Sequence, residues 1–392
     1  MNPPTAYRTN QAWADAGDAT LSRQYMQHVW VGDALGDAVV AAMAAAPQSA
    51  QQRWLRLGLE TGPDAIPDAP PELLALLREA AEEPSWFDPA LAAHGARGFH
   101  GNTQAFLAAF VASVLIEGFA TLIAKSFNLT GRLQDQGIRR LMENNRHLAE
   151  IFLPGGLAPY GDGWRLSVRI RLIHARIRRL LNASPEWERE AWGEPLSAAH
   201  LGAAAAAFSG LLLQRATTLG VRLTPQERGG FMMVWRRTAQ LMGIPPALLV
   251  TDEASARTLF RVARRCEPEP DMDCILLANS LVNSAPLVAG ITEPAKRREL
   301  AAYIYRVARG LLGDAMADQL HFPRRHRLNI LPLLRLRATL EHWARRVVPG
   351  YGQRRRAADF QLLMSVSFAA EPGNAYRLPQ RLHAEQIGRA HV

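Results

Sequence analysis

The sequence is short of cysteine, of lysine and of any strand pattern. Its two cysteines, Cys266 and Cys274, cannot build a disulfide framework and read as free thiols of a reducing compartment. No Cys-x-x-Cys-His stretch occurs, which excludes a covalently attached c-type haem. Lysine occurs only at Lys125 and Lys296 among 45 basic residues, so the net charge of +9 is almost wholly arginine. A basic surplus can attract nucleic acid, anionic lipid or an anionic ligand. Arginine in place of lysine is also what a GC-rich genome encodes, so no nucleic-acid partner is expected. β-Branched residues are sparse, no run alternates apolar and polar side chains, and no fixed-period repeat is visible. G-x-x-x-x-G-K-[ST] and G-x-S-x-G are both missing. The N-terminal MNPPTAYRTNQAW lacks a basic segment followed by an apolar one, so no export signal is read and a cytoplasmic location is expected.

What is present is alanine, leucine and a hydrophobic share of 48%. These favour helix throughout. The expected architecture is all-α, a single large helical domain over residues 1–386 without significant sheet. The closing IGRAHV matches a translated sequencing adapter, so residues 387–392 are expected to be non-native. Residues 1 to about 30 read as polar and irregular. Helices are expected at Gly32–Ala46, Gly137–Phe152, Gly161–Asn182 and Leu201–Gly220. Thr224-Pro225-Gln226-Glu227 is a capping box with proline at the first helical position, and starts a helix that reaches Gly243. Further helices are read near Glu253–Arg265, Pro294–Leu312 and Leu333–Val347. Ala105–Ala124 carries one charge, Glu117, in 20 residues. That length suffices to cross a bilayer. A carboxylate at mid-bilayer is costly, which favours a helix buried in a bundle.

The stretch VRIRLIHARIRRLL, Val168–Leu181, holds one histidine among aliphatic and basic residues. On a helical wheel with His174 at the origin, Ile170, Ile177 and Leu181 fall at about −40°, −60° and −20°, and Ser167, Arg171 and Arg178 at about +20°, +60° and +40°. One flank is aliphatic and the other basic. Such a face can pack an apolar macrocycle along Ile170 and Ile177, meet two propionates with Arg171 and Arg178, and offer the iron an imidazole. A lone helical histidine is more often a satisfied or solvated group, and the wheel leaves both readings open. His147 lies four residues after Glu143, yet no E-x-x-H pair accompanies it, so a di-iron carboxylate site lacks its ligands. His94, His100, His321, His326 and His342 read as surface groups. PRRHR (Pro323–Arg327) and QRRR (Gln353–Arg356) read as solvated faces, with an anionic membrane surface as the alternative.

The ordered motifs TGRL (Thr130–Leu133), IRRLMEN (Ile138–Asn144), VRIRLIHARIR (Val168–Arg178) and W-x-x-x-x-W-G-E-P-L (Trp187–Leu196) resemble one family. It comprises the haem-dependent rubber oxygenases, or latex-clearing proteins, and the mycophenolic-acid-pathway oxygenases. LGVRLTPQE (Leu219–Glu227), VWRRTAQLMGI (Val234–Ile244) and TDEASA (Thr251–Ala256) continue the resemblance, which runs from about Gly32 to Leu312. It implies an all-helical fold that holds haem b without a covalent bond. His174 matches the family's proximal ligand and Arg140 its distal-side arginine. The rubber-cleaving branch reads R-x-x-K-T on the distal helix, where this chain has Glu143 and Asn144. The acid of that branch before TGRL falls near Ala124, which supplies none. Arg140, Glu143, Asn144 and His147 share a helix face. The guanidinium could stabilise negative charge and Glu143 could move a proton; a surface salt-bridge stripe is the plain alternative. The resemblance implies an oxygenase that uses O2 on an apolar, isoprenoid or lipid-like substrate. A haem carrier or sensor without turnover, and a cofactor-free protein of the membrane surface, are the rival expectations.

Overall fold

The computed structural model describes residues 2–129, 137–324 and 329–368, without the side chains at 11–16, 139 and 140. Among the described residues there is no strand. The chain is a single helical domain. It runs through α1 (Arg8–His28), α2 (Ala34–Met43), α3 (Gln48–Thr61), α4 (Pro71–Ala81) and α5 (Pro89–His100). Next come α6 (Thr103–Ala109), α7 (Leu115–Phe119), α8 (Ile123–Leu129), α9 (Gly137–Ile151) and α10 (Asp162–Asn182). Beyond a one-turn α11 (Arg189–Trp192) lie α12 (Ala198–Ala206), α13 (Leu212–Thr218), α14 (Pro225–Leu241) and α15 (Glu253–Cys266). α16 (Met272–Val288), α17 (Pro294–Leu312), α18 (Asp314–Gln319), α19 (Leu331–Val347) and α20 (Tyr351–Ser367) complete it.

Local chemistry explains the best-defined boundaries. The Thr224 hydroxyl accepts from the Glu227 amide while the Glu227 carboxylate accepts from the Thr224 amide. Two orphan donors of α14 are thereby satisfied. Asp33 caps α2 by accepting from Gly36 N at 3.1 Å, and Asp88 caps α5. The N-terminal segment differs from expectation. Residues 8–28 are helical, with one break in helical geometry at Asp18, and α1 packs on α15. The fully buried Glu267 at the end of α15 draws that contact together. Its carboxylate accepts from Tyr25 at 2.8 Å, from Tyr7 at 3.2 Å and from Leu122 N at 2.9 Å, and meets His200 Nε2 at 3.2 Å. Burial raises its pKa, but His200 and the hydrogen bonds outweigh burial and hold it low.

The apolar run Ala105–Ala124 is a buried helix that ends earlier than expected, at Phe119. A π-helical turn, Phe110–Val114, joins α6 to α7, and Ala120 leaves helical geometry. Glu117 meets Arg215 at 2.8 Å and the Ser113 hydroxyl at 2.5 Å. A second π turn, Ala207–Leu211, joins α12 to α13 and packs on the first, with Phe110 and Phe208 edge to face at 5.4 Å. Among the described residues no single helix is long and apolar enough to cross a membrane.

Phe99, Phe152, Phe231 and Phe106 stack in turn at 4.6, 4.9 and 5.1 Å, tying α5, the end of α9, α14 and α6 into one core. α5 and α14 cross backbone to backbone. A Cβ on Gly95 would stand 2.2 Å from the carbonyl carbon of Gly230, so the crossing requires glycine. α19 keeps Leu333, Leu336, Leu340, Trp343 and Val347 on one outer stripe, each more than half exposed.

Candidate functional site

α9 and α10 form an antiparallel hairpin closed by the loop Pro154–Gly161. Gly155 takes a left-handed φ of 70°. Trp164 N donates to Gly156 O at 2.7 Å. At Gly163 a Cβ would lie 2.7 Å from Ile151 Cα, so glycine lets the start of α10 sit against the end of α9.

One side-chain contact fixes the register of this hairpin. His147 Nε2 lies 2.9 Å from Ser167 Oγ. The hydroxyl donates to Gly163 O at 2.7 Å, so it accepts from the imidazole N–H. Burial pushes the pKa of His147 down to about 4, and the ring is neutral. Seven residues are two helical turns, about 10.5 Å, and return to nearly the same face. Stepping seven back along α9 and seven forward along α10 pairs position 140 with position 174. The same count sets 143 and 144 beside 171 and 170.

His174 differs from its neighbours. Ile170, Arg171, Leu172, Ile173 and Ala175 are all buried, whereas His174 is half-buried. Its Nδ1 is buried. Ile170 is 7% exposed and Ile177 1%; Ile177 belongs to the main core and Ile170 lies outside it. Glu143 and Asn144 are half-buried. The Arg140 backbone is helical in α9, and its side chain, like Thr130–Leu133, lies outside the described residues.

The two arginines of the basic flank are used differently from the sequence expectation. Arg171 is buried and grips Asp33 with Nε at 2.6 Å and Nη2 at 2.9 Å, while Nη1 reaches Glu79 at 2.9 Å. Burial raises the Asp33 pKa, and the Arg171 hydrogen bonds and charge override it, so the carboxyl stays below its ordinary value. Arg178, also buried, donates to Asp37 at 2.8 Å and to Leu196 O at 3.1 Å. Both guanidiniums thus clamp α10 to α2, and a propionate would have to compete with the buried Asp33 or the part-exposed Asp37 to reach them. Of these α10 residues His174 alone keeps partial exposure; Ile170 and Ile177 are packed away, and the arginines do not fit propionate donors. Among the described residues no group of three or more His, Cys, Asp and Glu could hold a metal ion.

Sequence reasoning missed the clamp's acidic half. Asp33 and Asp37 are spaced i, i+4 in GDALGD, against Arg171 and Arg178 at i, i+7. These matched ladders were the available signal. His100 and His342, expected at the surface, line a cavity instead.

A family model described as the ER-bound oxygenase mpaB/B'/rubber oxygenase catalytic domain matches residues 97–345. A rubber oxygenase of Streptomyces sp. (strain K30) is 25% identical over 142 residues, covering 35% of this chain and 34% of the relative. The chain therefore matches about a third of that relative's length. Latex clearing protein LCP, solved in its closed state, superposes with a TM-score of 0.64 at 19% identity, over 86% of this chain and 91% of that one. That likeness establishes the fold.

Proposed function

The chain belongs to the mpaB/rubber oxygenase catalytic-domain family, and from that premise we propose that it is a haem b-dependent oxygenase that uses O2 on an apolar, isoprenoid or lipid-like substrate. The observation that carries this reading is the hairpin register. The His147–Ser167 contact supports a register in which position 140 stands at the level of His174, a half-buried residue between buried neighbours.

In this reading a bound haem supplies oxygen activation at its iron. The imidazole of His174 would be the protein's donor to that iron, with Ile170 and Ile177 buried on the same helix. Arg140 offers a fixed positive charge from α9. Glu143 is the group that holds or moves a proton, and Asn144 beside it supplies an amide to orient a polar partner. Arg171 and Arg178 act indirectly, by fixing α10 against α2.

The test is the visible spectrum of haem-supplemented protein beside His174→Ala. A Soret band that is lost or displaced in the variant supports the assignment. An unchanged spectrum overturns it. Oxygen uptake with long-chain alkenes then separates an oxygenase from a haem carrier, which would keep the Soret band and consume no oxygen.

We further propose a peripheral membrane contact through α19. Its stripe of Leu333, Leu336, Leu340, Trp343 and Val347 is exposed. Arg346 beside it, with Arg354 and Arg356 on α20, forms no ion pair among the described residues. An apolar face with a tryptophan and a basic border suits an anionic lipid surface.

A further inference from the structure

A cavity of about 940 Å³ lies at the closed end of the α9–α10 hairpin, walled by α5, the Ile151–Ala158 segment, Leu219–Arg222, α19 and α20. His174 lies about 18 Å further along α10, twelve residues from its start. None of the residues assigned to the haem site lines this cavity. It is therefore a separate space.

Its walls divide into two chemistries. Ala96, Ala105, Phe152, Leu157, Val221 and Val307 give an apolar interior. The rim holds seven arginines against four carboxylates. Three of those carboxylates are already occupied. Glu341 is bound by Arg337 at 3.0 Å, Asp359 meets Arg355 at 3.3 Å, and Glu227 closes the capping box of α14. Arg97, Arg222, Arg346 and Arg356 form no ion pair among the described residues.

The positive charge is focused at one point. His342 sits among Arg346, Arg222 and Arg345, and partial burial together with those charges lowers its pKa. Arg345 spends Nη1 on Gly101 O at 2.6 Å, and its buried Nε has no hydrogen-bond partner among the described residues. Next to Gly101, His100 Nε2 donates to Phe152 O at 2.9 Å. The space is large enough for a long-chain molecule.

We propose that this cavity is a second binding site, for an amphipathic anion: an alkyl or isoprenyl chain inside and a carboxylate or phosphate held by Arg222, Arg345 and Arg346. The chain gains by leaving water, and the head group meets guanidiniums that lack a carboxylate. Occupancy requires no haem, so the site stands or falls apart from the oxygenase reading.

The experiment is displacement of the fluorescent fatty acid cis-parinarate, below its micellar concentration, from the full chain. Oleate and octadecyl phosphate are expected to compete, and the stronger of the two identifies the preferred head group. 1-Octadecene and inorganic phosphate are each expected to fail, since one lacks the head and the other the chain. Arg222→Gln with Arg346→Gln should weaken parinarate at least tenfold at unchanged melting temperature. Ala96→Trp, which fills the interior, should abolish binding, and His174→Ala should leave it unaltered. The proposal is overturned if parinarate fails to bind, if 1-octadecene or inorganic phosphate competes as well as oleate, or if a folded Ala96→Trp chain binds like wild type. Loss of binding in His174→Ala would also overturn it, by merging the cavity with the haem site.

Discussion

His147 donates to Ser167 across the α9–α10 hairpin, and the whole candidate site takes its register from that bond. The imidazole is buried, neutral and titrates near pH 4. Its folded pKa lies below the unfolded value of about 6.5, so the native state binds fewer protons than the unfolded one. The stability it contributes is full above pH 6.5 and is lost as pH falls towards 4, by about 3 kcal/mol in all. Urea melts at pH 7.5 and 4.5 should show this slope. His147→Gln should lose less stability than wild type over the same interval, and an equal slope in both would refute the assignment.

The clamp between α10 and α2 yields a second expectation. Arg171→Lys cannot reproduce the two-toothed grip on Asp33, and should lower stability by roughly 2 kcal/mol. Because the guanidinium faces Asp33 and Glu79, the Soret maximum of the haem-loaded variant should stay where wild type has it. Thermal melts and spectra of one preparation check both. A displaced Soret maximum at unchanged stability would return Arg171 to the propionates.

Glu117 and Arg215 are a largely buried ion pair in the wall of the apolar bundle. Removing one member leaves a desolvated charge and costs about 3 kcal/mol. Glu117→Gln and Arg215→Met should each destabilise to that extent. The double variant should recover part of the loss in a denaturant cycle, because no lone charge remains.

The outward stripe of α19 should read as vesicle binding. Sedimentation with vesicles of phosphatidylglycerol and phosphatidylcholine should bring down wild type, with less at high salt. Leu340→Glu with Trp343→Glu should reduce binding about tenfold without altering the melting temperature. Equal sedimentation of both proteins would remove α19 from the contact.

Helices whose ends carry their own chemistry could be read from the chain. α14 begins at its capping box, α17 spans Pro294–Leu312 as expected, and α9 and α10 fall within a residue or two of their expected bounds. α1 escaped because its residues are polar and it breaks at Asp18. α16 escaped because Pro286 lies inside it, where proline ordinarily signals an end. The wheel around His174 separated an aliphatic flank from a basic one. It could not say what the arginines meet, since Asp33 and Asp37 lie more than 130 residues away and only tertiary packing brings them there. The Glu267 cluster gave no local signal for the same reason.

The paired π turns bear on how this chain can change length. Each holds one residue more than an α turn needs, so a deletion inside Phe110–Val114 or Ala207–Leu211 could be absorbed by tightening to α. Glu117 would still face Arg215. In α9, which has no such slack, losing one residue between 140 and 147 would rotate one end against the other by about 100°. Gaps among relatives should gather at the two π turns and spare the hairpin.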